Sequence, residues 1–170
     1  LGSVWSRLGA EVTVIEYLPR LFAGMDDELA KQAAKVFTAQ GLKLRLGCKV
    51  QSVKNLGTSA EVVFVDEEGK EARLQAERVL MAVGRRPYTD GLGLEEVGVR
   101  VDERGRVEVN ERFQTNVPSI YAIGDVIRGP MLAHKASDEG VAVADAMAGK
   151  YAEVNYDAIP SVVYTSPEIA

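Results

Sequence analysis

The stretch Ala10-Glu11-Val12-Thr13-Val14-Ile15-Glu16 decides the fold. It is β-branched and apolar, bounded by Gly9 and Pro19, and reads as a buried strand. Directly before it, Val4, Trp5 and Leu8 stand at helical spacing, and Gly9 reads as a C-terminal cap. Helix, glycine, then a short strand ending in an acid is the second half of a βαβ unit, which places the chain in the α/β class. Nothing ahead of Val4 supplies an N-cap or a first turn, and the chain opens without methionine. We therefore expect a chain that begins inside a helix, with sequence upstream of it.

Working outward, Asp26-Asp27-Glu28 starts a second helix that runs to about Gln40. Leu29, Ala33, Val36 and Phe37 form its apolar stripe, and Gly41 ends it. The pattern then changes to strands, expected at residues 43–46, 49–54, 59–66 and 70–75. Glu67-Glu68-Gly69 marks a hairpin between the last two. Residues 77–83 read as a further strand with the apolar end Val79-Leu80-Met81-Ala82-Val83. It runs into Gly84-Arg85-Arg86-Pro87, a loop because Pro87 cannot continue a ladder. Residues 88–118 are loop-rich, with short strands expected near 99–101 and 107–109. Residues 119–123 form another apolar strand, closed by Gly124-Asp125. A loop containing Gly129-Pro130 leads to a long helix over about 132–147, capped by Gly149, and a last strand is expected at 161–164. Ala136, Gly140, Ala144 and Ala148 lie along one face of that helix and predict close contact with a neighbour.

Bulk composition narrows the function classes. The chain has 170 residues, 46% hydrophobic and 26% charged, which suffices for one good core or two small ones. The net charge of −5 and the absence of a basic block argue against nucleic acid as a partner. No apolar run approaches the roughly 20 residues of a membrane-spanning helix. One cysteine, Cys48, excludes an internal disulfide and fits a reducing compartment.

Four places carry chemistry. Glu16 ends a strand where, in a dinucleotide fold, an acid accepts hydrogen bonds from ribose hydroxyls and repels a 2′-phosphate. The glycine-rich turn of such a fold would lie roughly twenty residues earlier, before residue 1. Taken alone, Glu16 reads better as a solvated strand-end glutamate. Gly84, at the carboxyl end of the expected strand, lets backbone approach a ligand closely; a plain turn with two surface arginines is the competing reading. Ile120-Tyr121-Ala122-Ile123-Gly124-Asp125 is the sharpest of the four. The glycine leaves room for a cofactor and the Asp125 carboxylate can accept bonds from its hydroxyls, while an Asx-type turn is the alternative. Gly129-Pro130-Met131-Leu132-Ala133-His134 then sets a helix start just after that turn. Its free N–H groups and positive dipole end can stabilise negative charge on a reduced flavin ring, or it is only a helix start.

Taken in order, Glu16, the Val-Gly-Arg-Arg-Pro turn at 83–87, Ile-Tyr-Ala-Ile-Gly-Asp at 120–125, Gly-Pro-Met-Leu-Ala-His-Lys-Ala at 129–136 and Val-Tyr-Thr-Ser-Pro-Glu-Ile-Ala at 163–170 resemble the dihydrolipoamide dehydrogenase family over essentially the whole chain. The Gly-Asp turn is shared widely among related flavoenzymes, whereas Met-Leu-Ala-His-Lys-Ala is more particular to this family. The resemblance implies an incomplete Rossmann-like NAD-binding domain over residues 1–87. It implies the C-terminal part of an FAD-binding domain over 88–154, and the start of a dimer-interface domain over 155–170. Glu16 would bind the adenosine ribose of NAD, and Val50 and Gly84 would line the NAD site. Asp125 would hold the ribityl chain of FAD, with Met131, Leu132, Ala133 and His134 meeting the flavin mostly through backbone.

The resemblance further implies an enzyme that oxidises dihydrolipoyl groups, passing electrons through a disulfide and FAD to NAD. Its partners would be the lipoyl domains and core of a 2-oxo acid dehydrogenase complex and a second copy of itself. It would work in the bacterial cytoplasm or the mitochondrial matrix. The family's redox cysteine pair lies upstream and its catalytic histidine downstream of this segment. His134 is therefore read as structural or flavin-adjacent and Cys48 as a small apolar filler, although each is the only residue of its kind. We assign no catalytic residue to these 170 residues and expect no turnover from them alone. Two alternatives stand beside this reading: another member of the wider family, glutathione or mercuric reductase-like, and a non-catalytic nucleotide- or partner-binding module. Glu16 argues against an NADP-specific reductase.

Overall fold

A computed structural model describes residues 1–170. The chain forms two compact units, residues 1–81 joined by 160–170, and residues 82–159.

In the first unit, helix α1 (Gly2–Arg7) leads to strand β1 (Thr13–Ile15), and helix α2 (Asp27–Ala39) leads to strand β2 (Lys43–Arg45). β1 and β2 pair in parallel, with Thr13 opposite Lys43 and Ile15 opposite Arg45, as a βαβ crossover requires. α2 starts where the acidic cluster predicts: Asp26 caps it, accepting hydrogen bonds from the Glu28 and Leu29 N–H groups at 2.9 and 3.2 Å. Its apolar stripe turns inward. Ala33 and Phe37 are buried with Leu21, Leu42 and Ile169, and Val14 and Leu44 of the two strands close the cluster. Strands β3 (Lys49–Asn55), β4 (Ala60–Val65) and β5 (Glu71–Ala76) form a separate antiparallel meander. Val62 and Phe64 of β4 cover Cys48, which is 4% exposed, so Cys48 is the small core residue that the sequence suggests.

The second unit is mostly irregular chain folded on helix α3 (Ala133–Met147). Its core unites Val99, Val107, Phe113, Ile127 and Ala142. The strands expected here shrink to single bridges, Val101 with Val107 and Gln114 with Tyr121. Residues 161–164 of the first unit likewise contribute one bridge, Val163 with Ile169.

Two expectations are corrected. Residues 77–83 form no strand: neither sheet includes them, and Met81 and Val83 are 64% and 86% exposed. A β-branched apolar run fits a pleated, half-buried surface, and without a neighbouring ladder it has no such surface to join. The small-residue stripe of α3 makes its close approach only in its N-terminal half, at Ala136 against Gly124 and at Gly140, where an added methyl would lie 3.6 Å from Ile123 Cδ1. Ala144 and Ala148 are exposed, and the buried face is instead Lys135, Glu139, Ala142 and Ala146.

Candidate functional site

Around Gly124-Asp125 the chain makes one 3₁₀ turn over Gly124–Val126. Gly124 has φ +73°, and a methyl there would stand 3.3 Å from Ala136 Cβ. Both its conformation and its closeness to α3 therefore require glycine. Asp125 follows with its side chain 43% exposed, at a corner shared with the start of α3. No side chain caps that helix start, where Leu132 is the extended N-cap residue. Arg85, one residue beyond Gly84, reaches across the same corner. Its Nη1 donates to Asp125 Oδ2 at 3.3 Å and to the Met131 carbonyl at 3.2 Å.

Beneath the turn lies a fully buried ion pair, Lys135 with Glu139, one helical turn apart and both 0% exposed. Lys135 Nζ donates to the Gly124 carbonyl at 2.9 Å and to Glu139 Oε2 at 3.2 Å. Glu139 Oε2 accepts the Gly124 N–H at 2.7 Å, and Oε1 accepts the Tyr156 hydroxyl at 2.7 Å. Burial, and then donation to the Glu139 carboxylate, hold the Tyr156 hydroxyl well above the usual tyrosine range. No buried side-chain polar atom is left without a partner.

In the first unit, Glu16 sits half-buried just past β1. Its Oε1 accepts the Leu18 N–H at 2.8 Å, and its carbonyl accepts the Cys48 N–H at 2.9 Å. This places Glu16 beside the start of β3 and so near Val50, which is 40% exposed where the β3–β4 register shifts. Gly84 belongs to the other unit. Its φ of +127° is one that side chains rarely adopt, and open space surrounds its Cα.

Of the residues singled out from sequence, the structure thus groups Asp125 with Met131 through Arg85, and Leu132 with the helix start. Glu16 and Val50 form a separate neighbourhood. His134 is half-buried in the first turn of α3. Sequence reasoning missed Lys135, Glu139 and Tyr156. The available signal was a Lys and a Glu four residues apart in an alanine-rich helix, but that spacing ordinarily marks a solvated face.

The parallel βαβ element with its antiparallel meander in one unit, and the Gly-Asp turn braced against a helix start in the other, fit a partial Rossmann-type nucleotide-binding fold. The chain belongs to the pyridine nucleotide-disulphide oxidoreductase family, whose profile matches residues 1–140. It is 50% identical over 170 residues to dihydrolipoyl dehydrogenase of Cupriavidus necator, covering 100% of this chain and 36% of that protein. It is 52% identical over 172 residues to the mitochondrial dihydrolipoyl dehydrogenase of Caenorhabditis elegans, covering 100% of this chain and 35% of that protein. Among solved structures, LpdA of Mycobacterium tuberculosis superimposes with a TM-score of 0.82 at 26% identity, over 98% of this chain and 36% of that one. The HOCl-induced flavoprotein disulfide reductase RclA of Escherichia coli gives 0.83 at 27%, over 98% and 38%. The chain therefore spans little more than a third of the length of these relatives. No helix is long and apolar enough to cross a membrane.

Proposed function

We propose that this chain carries a segment of a dihydrolipoyl dehydrogenase holding parts of its NAD and FAD sites. The reading rests on the two dihydrolipoyl dehydrogenases to which half its residues are identical. The observation that carries the flavin assignment is the Gly124-Asp125 turn, held from below by Lys135 and Glu139 beside the uncapped start of α3. An exposed carboxylate next to the positive end of a helix dipole suits a ligand with hydroxyls at one end and developing negative charge at the other. The residues present therefore fit FAD.

FAD, when bound, supplies the redox chemistry between the dithiol and NAD. The chain's own residues position it. Asp125 accepts hydrogen bonds from the ribityl hydroxyls. Met131, Leu132, Ala133 and His134 present backbone at the flavin, and the dipole of α3 favours negative charge there. Arg85, now paired with Asp125, neutralises that carboxylate until a ligand takes its place. Glu16 accepts from the adenosine ribose of NAD, and Val50 borders the same nucleotide. Residues 1–87 are assigned to the NAD domain, 88–154 to the FAD domain and 155–170 to the start of a dimer interface. The partners are lipoyl domains and the core of a 2-oxo acid dehydrogenase complex, with a second copy of the whole protein, in the bacterial cytoplasm or mitochondrial matrix.

The test compares the full-length flavoprotein with its Asp125→Ala variant. We expect the wild type to reduce NAD with dihydrolipoamide and the variant to lose bound FAD on gel filtration. We expect the 170 residues alone, with FAD added, to give no turnover. Wild-type flavin retention by Asp125→Ala would overturn the site, and normal turnover by the 170 residues would overturn the assignment of the catalytic groups to other segments.

A further inference from the structure

A buried ion pair is poor value as a stability device: desolvation of two charges offsets most of their attraction, and apolar replacements are often as stable. Lys135 and Glu139 nevertheless lie at 0% exposure, and their bonds converge on one residue. Glu139 Oε2 accepts the Gly124 N–H and Lys135 Nζ donates to the Gly124 carbonyl. The two peptide planes on either side of Gly124 are thus both anchored, and Asp125 begins at the second of them. Tyr156 closes the far side by donating to Glu139 Oε1, which directs Oε2 at Gly124.

We propose that Lys135 and Glu139 are positioning residues for the flavin: by clamping both polar groups of Gly124 they fix where the Asp125 carboxylate stands at the start of α3. The inference rests on the flavin reading of Asp125 and adds to it the part that sets the carboxylate's geometry. Both side chains are shut off from the surface, so they act through Gly124. Glycine's wide conformational range at φ +73° is the reason a clamp is needed, because the residue that permits the turn does nothing to hold it.

The test uses the full-length flavoprotein and four forms: wild type, Lys135→Met, Glu139→Met and the Lys135→Met/Glu139→Met double variant. Three quantities are read: thermal midpoint, amide exchange at Gly124 in the flavin-free protein, and FAD affinity with the visible spectrum of bound flavin. Each single variant strands a buried charge and is expected to lower the midpoint, whereas the double variant, with no charge to strand, is expected to recover most of it. Positioning predicts that the double variant still exchanges the Gly124 amide faster, binds FAD about tenfold more weakly and shifts the flavin spectrum, as loss of two anchoring bonds implies. A purely structural pair predicts recovery of affinity and spectrum together with stability, and that result overturns the proposal. If the single variants fail to fold, the double variant alone decides. Should the double variant also fail to fold, Tyr156→Phe decides by the same affinity and spectrum, with wild-type values overturning the proposal. Wild-type protein that takes up no FAD would instead sink the flavin reading, a result distinct from a variant that binds as wild type does.

Discussion

The Tyr156 hydroxyl donates to Glu139 Oε1 at 2.7 Å, so a residue beyond the end of α3 completes the coordination of a carboxylate buried within it. Burial first, and then this bond to a carboxylate, raise the hydroxyl above its ordinary value of 10.0. A group whose pKa is raised on folding contributes stability that is complete below the unfolded value and is lost as pH climbs toward the folded one. We expect the urea midpoint to fall above pH 10, and to fall less steeply in Tyr156→Phe. Tyr156 is 45% exposed, so solvent screening keeps this to a difference in slope. Parallel pH profiles for the two proteins would contradict it.

Gly124→Ala meets two obstacles at once, a φ of +73° and Ala136 Cβ at 3.3 Å. The expected cost is about 1–3 kcal/mol of stability from left-handed strain and overpacking. Chemical denaturation measures it. The Gly149→Ala variant shares a positive φ but has open space around it and should lose less.

Replacing Glu16 by Ala tests the nucleotide reading. Removing the carboxylate takes away the ribose acceptor and the charge that repels a 2′-phosphate. In the full-length flavoprotein we expect the preference for NADH over NADPH to drop by about tenfold, equivalent to roughly 1.4 kcal/mol. Titration of each nucleotide with wild type and variant reads it directly. An unchanged ratio would return Glu16 to its local role as acceptor of the Leu18 N–H.

Asp26→Ala removes the acceptor for the Glu28 and Leu29 N–H groups at the start of α2. Loss of an N-cap of this kind costs about 1 kcal/mol. The thermal midpoint should fall, and Asp26→Ser should restore most of it. Calorimetry of the three proteins checks both steps.

The elements legible in the sequence were those that carry their own boundaries. Asp26 and Gly41 bracket α2, Glu67-Glu68-Gly69 turns β4 into β5, and Gly149 follows α3, because caps and tight turns are decided within a few residues. Residues 77–83 looked equally strand-like and form none, since a strand exists only by pairing with another. At the candidate site the exposed acid, Asp125, and its glycine were readable as a turn at a strand's end. The groups beneath it were not. Lys135 and Glu139 have the spacing of a solvated helical pair, and only the fold of residues 107–127 over α3 buries them.

By itself, then, the sequence determined the α/β order, the limits of α2 and α3 and the tight turn at Gly124-Asp125, all of which follow from local periodicity and backbone preference. The tertiary structure alone decided that a lysine and a glutamate from one helix face hold Gly124 from below. Charges leave water only where complementary charges and peptide dipoles from distant parts of the chain meet them, and no local pattern encodes that meeting.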